Sequence, residues 1–249
     1  MVNLASPGNR RLPLGIADLL LILILGLGSA RLMLPVVADA FGIAVRSGAS
    51  DILAVMFLLT VQTLVLFGVL YIVAIRWRGV TWHELGYVAP PAGWLPRTLL
   101  MALLSFPLVG AVTWLQQQIT GQPFENPQFQ VMAPSTFAWR DYIATILVAA
   151  FIAPIVEETA FRGLLYRWLI ERTRFPIAIA GSALIFSVLH GIPHLIPGIM
   201  VLGAILAWMY HRTQSIWVPI VLHGTYNAIV TTALYATIAQ GITPPGGST

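Results

Sequence analysis

The chain contains no cysteine and no lysine, and its 249 residues include only nine acidic side chains. Without cysteine there is no disulfide framework, no thiolate metal site and no cysteine nucleophile, and the redox compartment cannot be read from the sequence. Charged residues make up 9% of the chain, against about a quarter in soluble domains, so the polar surface that water demands is missing. A water-soluble globular protein is excluded on that ground. Disorder is excluded too, because 58% of the residues are hydrophobic and eight Trp, eleven Phe and seven Tyr supply abundant surface to bury.

What is present is a succession of apolar runs, with a mean hydropathy of +0.85. A bilayer core of about 30 Å calls for helices of about 20 apolar residues. Runs at Leu14 to Ala38, Ile52 to Ile75, Thr98 to Ile119, Tyr142 to Tyr166, Ile177 to Leu189, Pro197 to Tyr210 and Trp217 to Ala239 predict an all-α, polytopic transmembrane bundle. Seven spans are expected, with an eighth only if the 120 to 140 loop re-enters. The fifth and sixth runs are short, which suits tilted, buried or kinked helices near Pro193 and Pro197. No internal repeat, low-complexity tract or soluble domain boundary is visible, so residues 1–249 read as one membrane-embedded domain.

All thirteen basic residues are arginines, and most of them stand singly or in pairs between the apolar runs, with Arg162 inside one. That scatter signals topology and no nucleic-acid partner. Alternate connections collect Arg10, Arg11, Arg76, Arg78, Arg97, Arg167, Arg172, Arg174 and Arg212 on one side, against Arg31, Arg46 and Arg140 on the other. The bias predicts a cytoplasmic N-terminus. The first run, with Gly28-Ser29-Ala30 inside it, imitates a signal peptide, but its continuation through Leu32 to Ala38 predicts an uncleaved anchor.

Two connectors stand out. Thr81-Trp82-His83-Glu84-Leu85 carries a capping-box pattern and predicts a short interfacial helix near residues 80–88, with His83 on its solvated face. The segment from Thr120 to Arg140 interleaves proline, glutamine and phenylalanine, and reads as a connector, or as a lid over the membrane core.

Ionisable groups inside a span cost roughly 2.5 to 3.5 kcal/mol each on insertion scales and so mark function. The fourth run holds Glu157, Glu158 and Arg162. Glu158 and Arg162, four residues apart, can pair on one helix face, while Glu157 points about 100° away and needs a partner from another helix. Glu157 lies ten residues, about 15 Å, from Arg167; His223 lies eleven, about 16 Å, from Arg212; His190 lies fourteen, about 21 Å, from Pro176. Glu, His and His therefore come to similar depth, and Asn227 stands one turn beyond His223. His194 and His211, at the membrane edges, read as structural. A general base of raised pKa, an imidazole and an amide donor are the parts of a hydrolytic site.

These residues also fit a family pattern: EETAFR as Glu-Glu-x-x-x-Arg, FSVLH as Phe-x-x-x-His and HGTYN as His-x-x-x-Asn, in order and on separate helices. The chain resembles the CPBP intramembrane proteases, which include the type II CAAX prenyl endopeptidases and bacterial relatives linked to bacteriocin processing and immunity. The resemblance covers mainly residues 142 to 238, with WHELG at Trp82 to Gly86 similar to an upstream feature. It implies that Glu157 and His190 activate water, that His223 and Asn227 support the oxyanion, and that Glu158 and Arg162 shape the site. A zinc site built on Glu157, His190 and His223 is the competing mechanism. The resemblance implies a peptide or prenylated protein as substrate and the inner membrane of a prokaryotic cell as location. The other classes are a non-enzymatic immunity or regulatory partner, and a proton-coupled transporter, for which the expected repeated halves are missing.

Overall fold

A computed structural model describes residues 11–28, 51–121 and 132–242, together with Val36, Asp39 and Phe129. Among the described residues all regular structure is helical, with helices at all seven predicted positions. These are α1 (Ile16–Gly26), α2 (Ile52–Trp77), α3 (Trp94–Thr120), α4 (Trp139–Ile170), α5 (Phe175–Leu189), α6 (Ile196–Thr213) and α7 (Trp217–Ala239). Four are long and apolar enough to cross a membrane: α2, α3, α4, and α6 with the short turn Pro193–Leu195 that leads into it. The shorter α5, and the described part of α1, are apolar as well. Helix α7 matches the long ones at 23 residues, but His223, Asn227 and four threonines make it more polar. The second half of the first predicted run, and residues 122–128 of the connector considered for re-entry, lie outside the described residues.

Burial follows the inverted logic of a membrane protein. Helix α3 has only 17% of its most apolar window buried, and it presents Leu99, Leu100, Leu103 and Leu104 outward. Glu158, Arg162 and His223 are buried instead. Large apolar side chains on the outside and charges on the inside are stable only where the surroundings are hydrocarbon. The chain is an integral membrane protein.

Helix α4 runs through the centre and is contacted by α2, α5, α6 and α7. One apolar cluster joins α1, α2, α4 and α5 through Leu19, Leu70, Leu164 and Phe186, and a second joins α3, α6 and α7 through Ala102, Leu206 and Leu222. At the arginine-rich end, Arg78 donates to Asp18 Oδ1 from Nε and Nη2, at 3.0 and 2.8 Å, and ties the end of α2 to the start of α1. Asp18, inside the first apolar run, also accepts from Gly15 N at 2.8 Å. Inspection of the sequence had assigned Asp18 no role.

The predicted capping box at Thr81 forms as expected. Glu84 Oε2 accepts from Thr81 N at 2.8 Å and Glu84 N donates to Thr81 Oγ1 at 3.2 Å. The interfacial helix does not follow, and residues 82–86 make a turn. Gly86 stops it with a left-handed φ of +90°, where its carbonyl accepts from Ile216 N at 2.7 Å and a Cβ would meet the Tyr210 ring at 2.7 Å. The segment is fastened instead to the interior of α4, the end of α6 and the start of α7. Tyr87 Oη bonds Thr159 Oγ1 of α4 at 2.7 Å, Tyr210 Oη of α6 donates to Leu85 O at 3.3 Å, and Ser215 Oγ, just before α7, donates to Val88 O at 2.7 Å. Arg167 also donates to the Glu84 carbonyl. Burial raises the pKa of the Tyr87 hydroxyl, an effect the Thr159 bond only partly offsets, so it stays a donor. Phe67, Tyr71, Trp82, Tyr87 and Trp217 form an aromatic cluster around the turn, the residue types that favour a membrane–water boundary.

Candidate active site

Helix α4 departs from regular α-helix on both sides of the acidic pair. Wide i→i+5 turns occupy Leu147–Ile152 and Thr159–Tyr166, with an α-helical segment, Ala153–Glu158, between them. Similar wide turns occur at Ile24–Gly28 and Tyr71–Trp77, so it is their local consequence in α4 that matters. Pro154 supplies a local reason. In the wide register Ala153 N donates to Val148 O, so the next donor, to Ala149 O, would be position 154, where proline has no N–H. The Ala149 carbonyl accepts from Asn227 Nδ2 of α7 at 2.8 Å. The same register brings the Ala150 carbonyl against Gly224, where a Cβ would collide with that oxygen. Glycine at 224 therefore lets α7 touch the backbone of α4, with His223 and Asn227 on either side of the contact.

The Glu158–Arg162 pair predicted from the sequence is present and fully buried, with Arg162 Nη1 3.0 Å from Glu158 Oε1. Arg162 Nη2 donates to Gly203 O of α6 at 3.1 Å, and its guanidinium lies 4.3 Å from the centroid of the Phe186 ring. Gly203 admits this close packing, since a Cβ there would meet Ala183 and Phe186 of α5 at 3.2 to 3.3 Å. Glu158 Oε2 and Arg162 Nε have no hydrogen-bond partner among the described residues. The pair is a lock that joins α4, α5 and α6 at a cost in desolvation.

The same Glu158 oxygen holds His223, whose Nδ1 lies 2.7 Å away. That oxygen already accepts from the Arg162 guanidinium, and with the histidine nitrogen as the donor it accepts twice. The far side of the ring, Nε2, faces Glu157 Oε2 at 3.9 Å. The partner that Glu157 required from another helix is thus His223. Glu157 is 27% exposed where Glu158 is fully buried, so of the two carboxylates it is the one open to a reactant.

His190 closes the end of α5, where its Nδ1 meets the Phe186 carbonyl at 2.8 Å. Carbonyls only accept, so Nδ1 carries the hydrogen in the neutral ring. The Phe186 ring lies between the two imidazoles, its centroid 4.6 Å from that of His190 and 5.9 Å from that of His223. Its packing against Phe161 at 4.9 Å completes a hub between α4 and α5. The structure therefore joins Glu157, Glu158, Arg162 and His223 directly, brings Asn227 onto the α4 backbone, and links His190 through Phe186.

The zinc alternative needs Glu157, His190 and His223 gathered around one point. Among the described residues no group of three His, Asp or Glu side chains is disposed to hold a metal ion. The donor set does not fit, and no step is drawn through an ion. His83 is exposed, in line with its reading as a solvated residue; of the two histidines read as structural, His211 Nδ1 meets Tyr166 Oη at 2.8 Å and His194 Nε2 is buried without a partner among the described residues. The described part of the suspected lid, Phe129, Ala133 and Phe137, packs against Tyr235 and its neighbours at the far end of α7.

Sequence reasoning missed Phe186 as a hub, Gly203 and Gly224 as contact points, and Pro154 as the residue that exposes a carbonyl to Asn227. Two of these left a signal in the sequence: Pro154, a proline inside an apolar run, and Phe186, which opens the Phe-x-x-x-His motif.

Fold and site together define a class: an integral membrane helix bundle with a Glu–Glu–Arg lock, an oriented histidine and a backbone-anchored asparagine in its interior. Residues 139–229, which hold Glu157, Glu158, Arg162, His190, His223 and Asn227, match the family model described as Type II CAAX prenyl endopeptidase Rce1-like. A protein of Bacillus subtilis (strain 168) named "Putative membrane peptidase YdiL" is 37% identical over 86 residues, a stretch covering 34% of this chain and 35% of that protein. The chain thus matches about a third of that relative's length. No solved structure matches. Over the segment from α4 to α7 these similarities support the resemblance to the CPBP family read from the motifs.

Proposed function

We propose that the chain is an intramembrane endopeptidase that hydrolyses a peptide bond at or within the bilayer. The observation that carries this reading is the approach of Glu157 Oε2 to His223 Nε2, at 3.9 Å, beside a buried carboxylate that fixes the histidine's other nitrogen. Hydrolysis needs a base open to water and a donor for the developing oxyanion. Glu157, with His190, takes a proton from water as its oxygen adds to the scissile carbonyl. Asn227 has two amide hydrogens, one spent on Ala149 O, and the other supports the oxyanion together with His223. Glu158 and Arg162 hold these groups in register.

The family match supports a peptide substrate presented from the membrane, with a prenylated C-terminal segment as the leading class. The catalytic core is residues 142 to 238 of one membrane domain. The arginine bias supports a cytoplasmic N-terminus, and the membrane in question is the prokaryotic inner membrane.

The test is product analysis. Purified protein in lipid vesicles is incubated with a farnesylated CAAX-type peptide in ¹⁸O-water, and the products are weighed by mass spectrometry. Two fragments, with one ¹⁸O in the new carboxylate, are expected. Peptide left intact after prolonged incubation, across several farnesylated sequences, overturns the assignment.

A further inference from the structure

The Glu158 contact constrains what His223 can do, and the consequence rests on the endopeptidase reading above. An oxyanion donor at Nε2 needs a hydrogen there. In the neutral ring the single hydrogen is on Nδ1, where it is donated to Glu158 at 2.7 Å. His223 can therefore meet the reacting centre as a donor only after it has received a proton. The nearest source is Glu157 Oε2, at 3.9 Å, about 0.7 Å beyond hydrogen-bonding reach. The charged groups around the ring can accommodate a proton passed to it. From α4 it is faced by Glu157 and Glu158, and Arg162 is bonded to the same Glu158 oxygen; from α5 it meets the uncharged Phe186 ring. With both carboxylates ionised these groups sum to minus one, and an imidazolium brings the cluster to formal neutrality.

We infer that His223 is a proton carrier between Glu157 and the leaving amine, with Glu158 as the residue that orients it. Glu157 takes a proton from the attacking water as the new carbon–oxygen bond forms. That proton passes to His223 Nε2, giving an imidazolium whose Nδ1–H stays bonded to the Glu158 carboxylate. As the carbon–nitrogen bond breaks, the electron pair stays on nitrogen, which takes the proton from Nε2. The products are a carboxylic acid end and an amine, and Glu157 and His223 return to their starting states. Nothing is oxidised or reduced and no co-reactant besides water is used. A carboxylate, an imidazole and a leaving group in line is the arrangement by which buried carboxylates serve histidine in hydrolysis generally.

The experiment compares a peptide with its depsipeptide, in which the scissile amide is an ester. An amine leaves only when protonated, whereas an alkoxide leaves without that help, so a proton carrier matters to the first substrate and much less to the second. His223→Gln retains an N–H donor near the Nε2 position but carries no proton, and His223→Asn retains a donor toward Glu158. Both are assayed in vesicles with the farnesylated amide and ester, after monodispersity in detergent is checked. The relay predicts a loss of about 10²-fold or more on the amide and less than about ten-fold on the ester for whichever variant folds. Equal losses on both substrates, or amide turnover near the parent's in His223→Gln, overturn the relay and leave His223 as an oxyanion donor. Failure of the parent to cleave either substrate overturns the endopeptidase reading itself and the relay with it.

Discussion

Replacing Arg162 with methionine keeps most of the side-chain volume and removes its charge. In the folded bundle it strands Glu158, which is fully buried and would retain only the His223 contact on one oxygen. Breaking a buried ion pair from one side costs about 3 to 5 kcal/mol, because the remaining charge is left without compensation. The bond to Gly203 O adds about 1 kcal/mol. At roughly 2 to 4 °C per kcal/mol for a chain of this size, the melting temperature in detergent should fall by on the order of 10 °C. Glu158→Gln strands Arg162 in the same way and should fall comparably. The double variant Glu158→Gln, Arg162→Met has no buried charge left at the pair, and the amide oxygen introduced at position 158 still accepts from His223. It should melt above both single variants while remaining poor in turnover. A double variant melting as low as the sum of the two losses would refute the reasoning, since it would show that the two side chains act independently.

Gly224→Ala drives a carbon into the Ala150 carbonyl, which is backbone and cannot swing aside, so α7 must move away from α4. The expected outcome is an overpacking loss of about 1 to 3 kcal/mol in a thermal melt and a fall in turnover of at least about ten-fold, because both His223 and Asn227 ride on that contact. Parent-like activity in this variant would contradict the packing account. Chelation is predicted to leave turnover unchanged, since the described carboxylates and imidazoles are not gathered into a metal-holding group. Loss of activity with EDTA or phenanthroline, restored by zinc, would reverse that conclusion.

The fold was legible because a membrane imposes one simple rule on sequence, and the apolar runs obeyed it. Among the described residues seven helices stand where seven runs were read, and four of them meet the length and hydropathy of a full span by themselves. Within the site, the Glu158–Arg162 pair was legible from its spacing, and the Glu157–His223 approach from their matching depths, about 15 and 16 Å along their helices. What the sequence does not encode locally is contact between one helix and the backbone of another. The Asn227 bond to Ala149 O depends on a wide turn and a proline in α4, and the role of Gly224 depends on where the Ala150 carbonyl points. Glu158's double duty was invisible for a similar reason: a spacing of four assigns it to Arg162, and nothing in the spacing shows that His223 shares the same oxygen. The segment at Thr81 shows the reverse case, where a correct local signal formed its hydrogen bonds and tertiary contacts at Gly86 ended the helix after one turn.

The most direct measurement of the central claim is turnover of the farnesylated peptide by Glu157→Gln alongside the parent, in the same vesicles and at the same protein density. Glutamine keeps the shape of the one site carboxylate open to a reactant, but it cannot take a proton from water. The account predicts a variant that inserts, stays monodisperse and melts within a few degrees of the parent, with cleavage below the detection limit. Retention of more than a few per cent of parental turnover would show that another group activates the water.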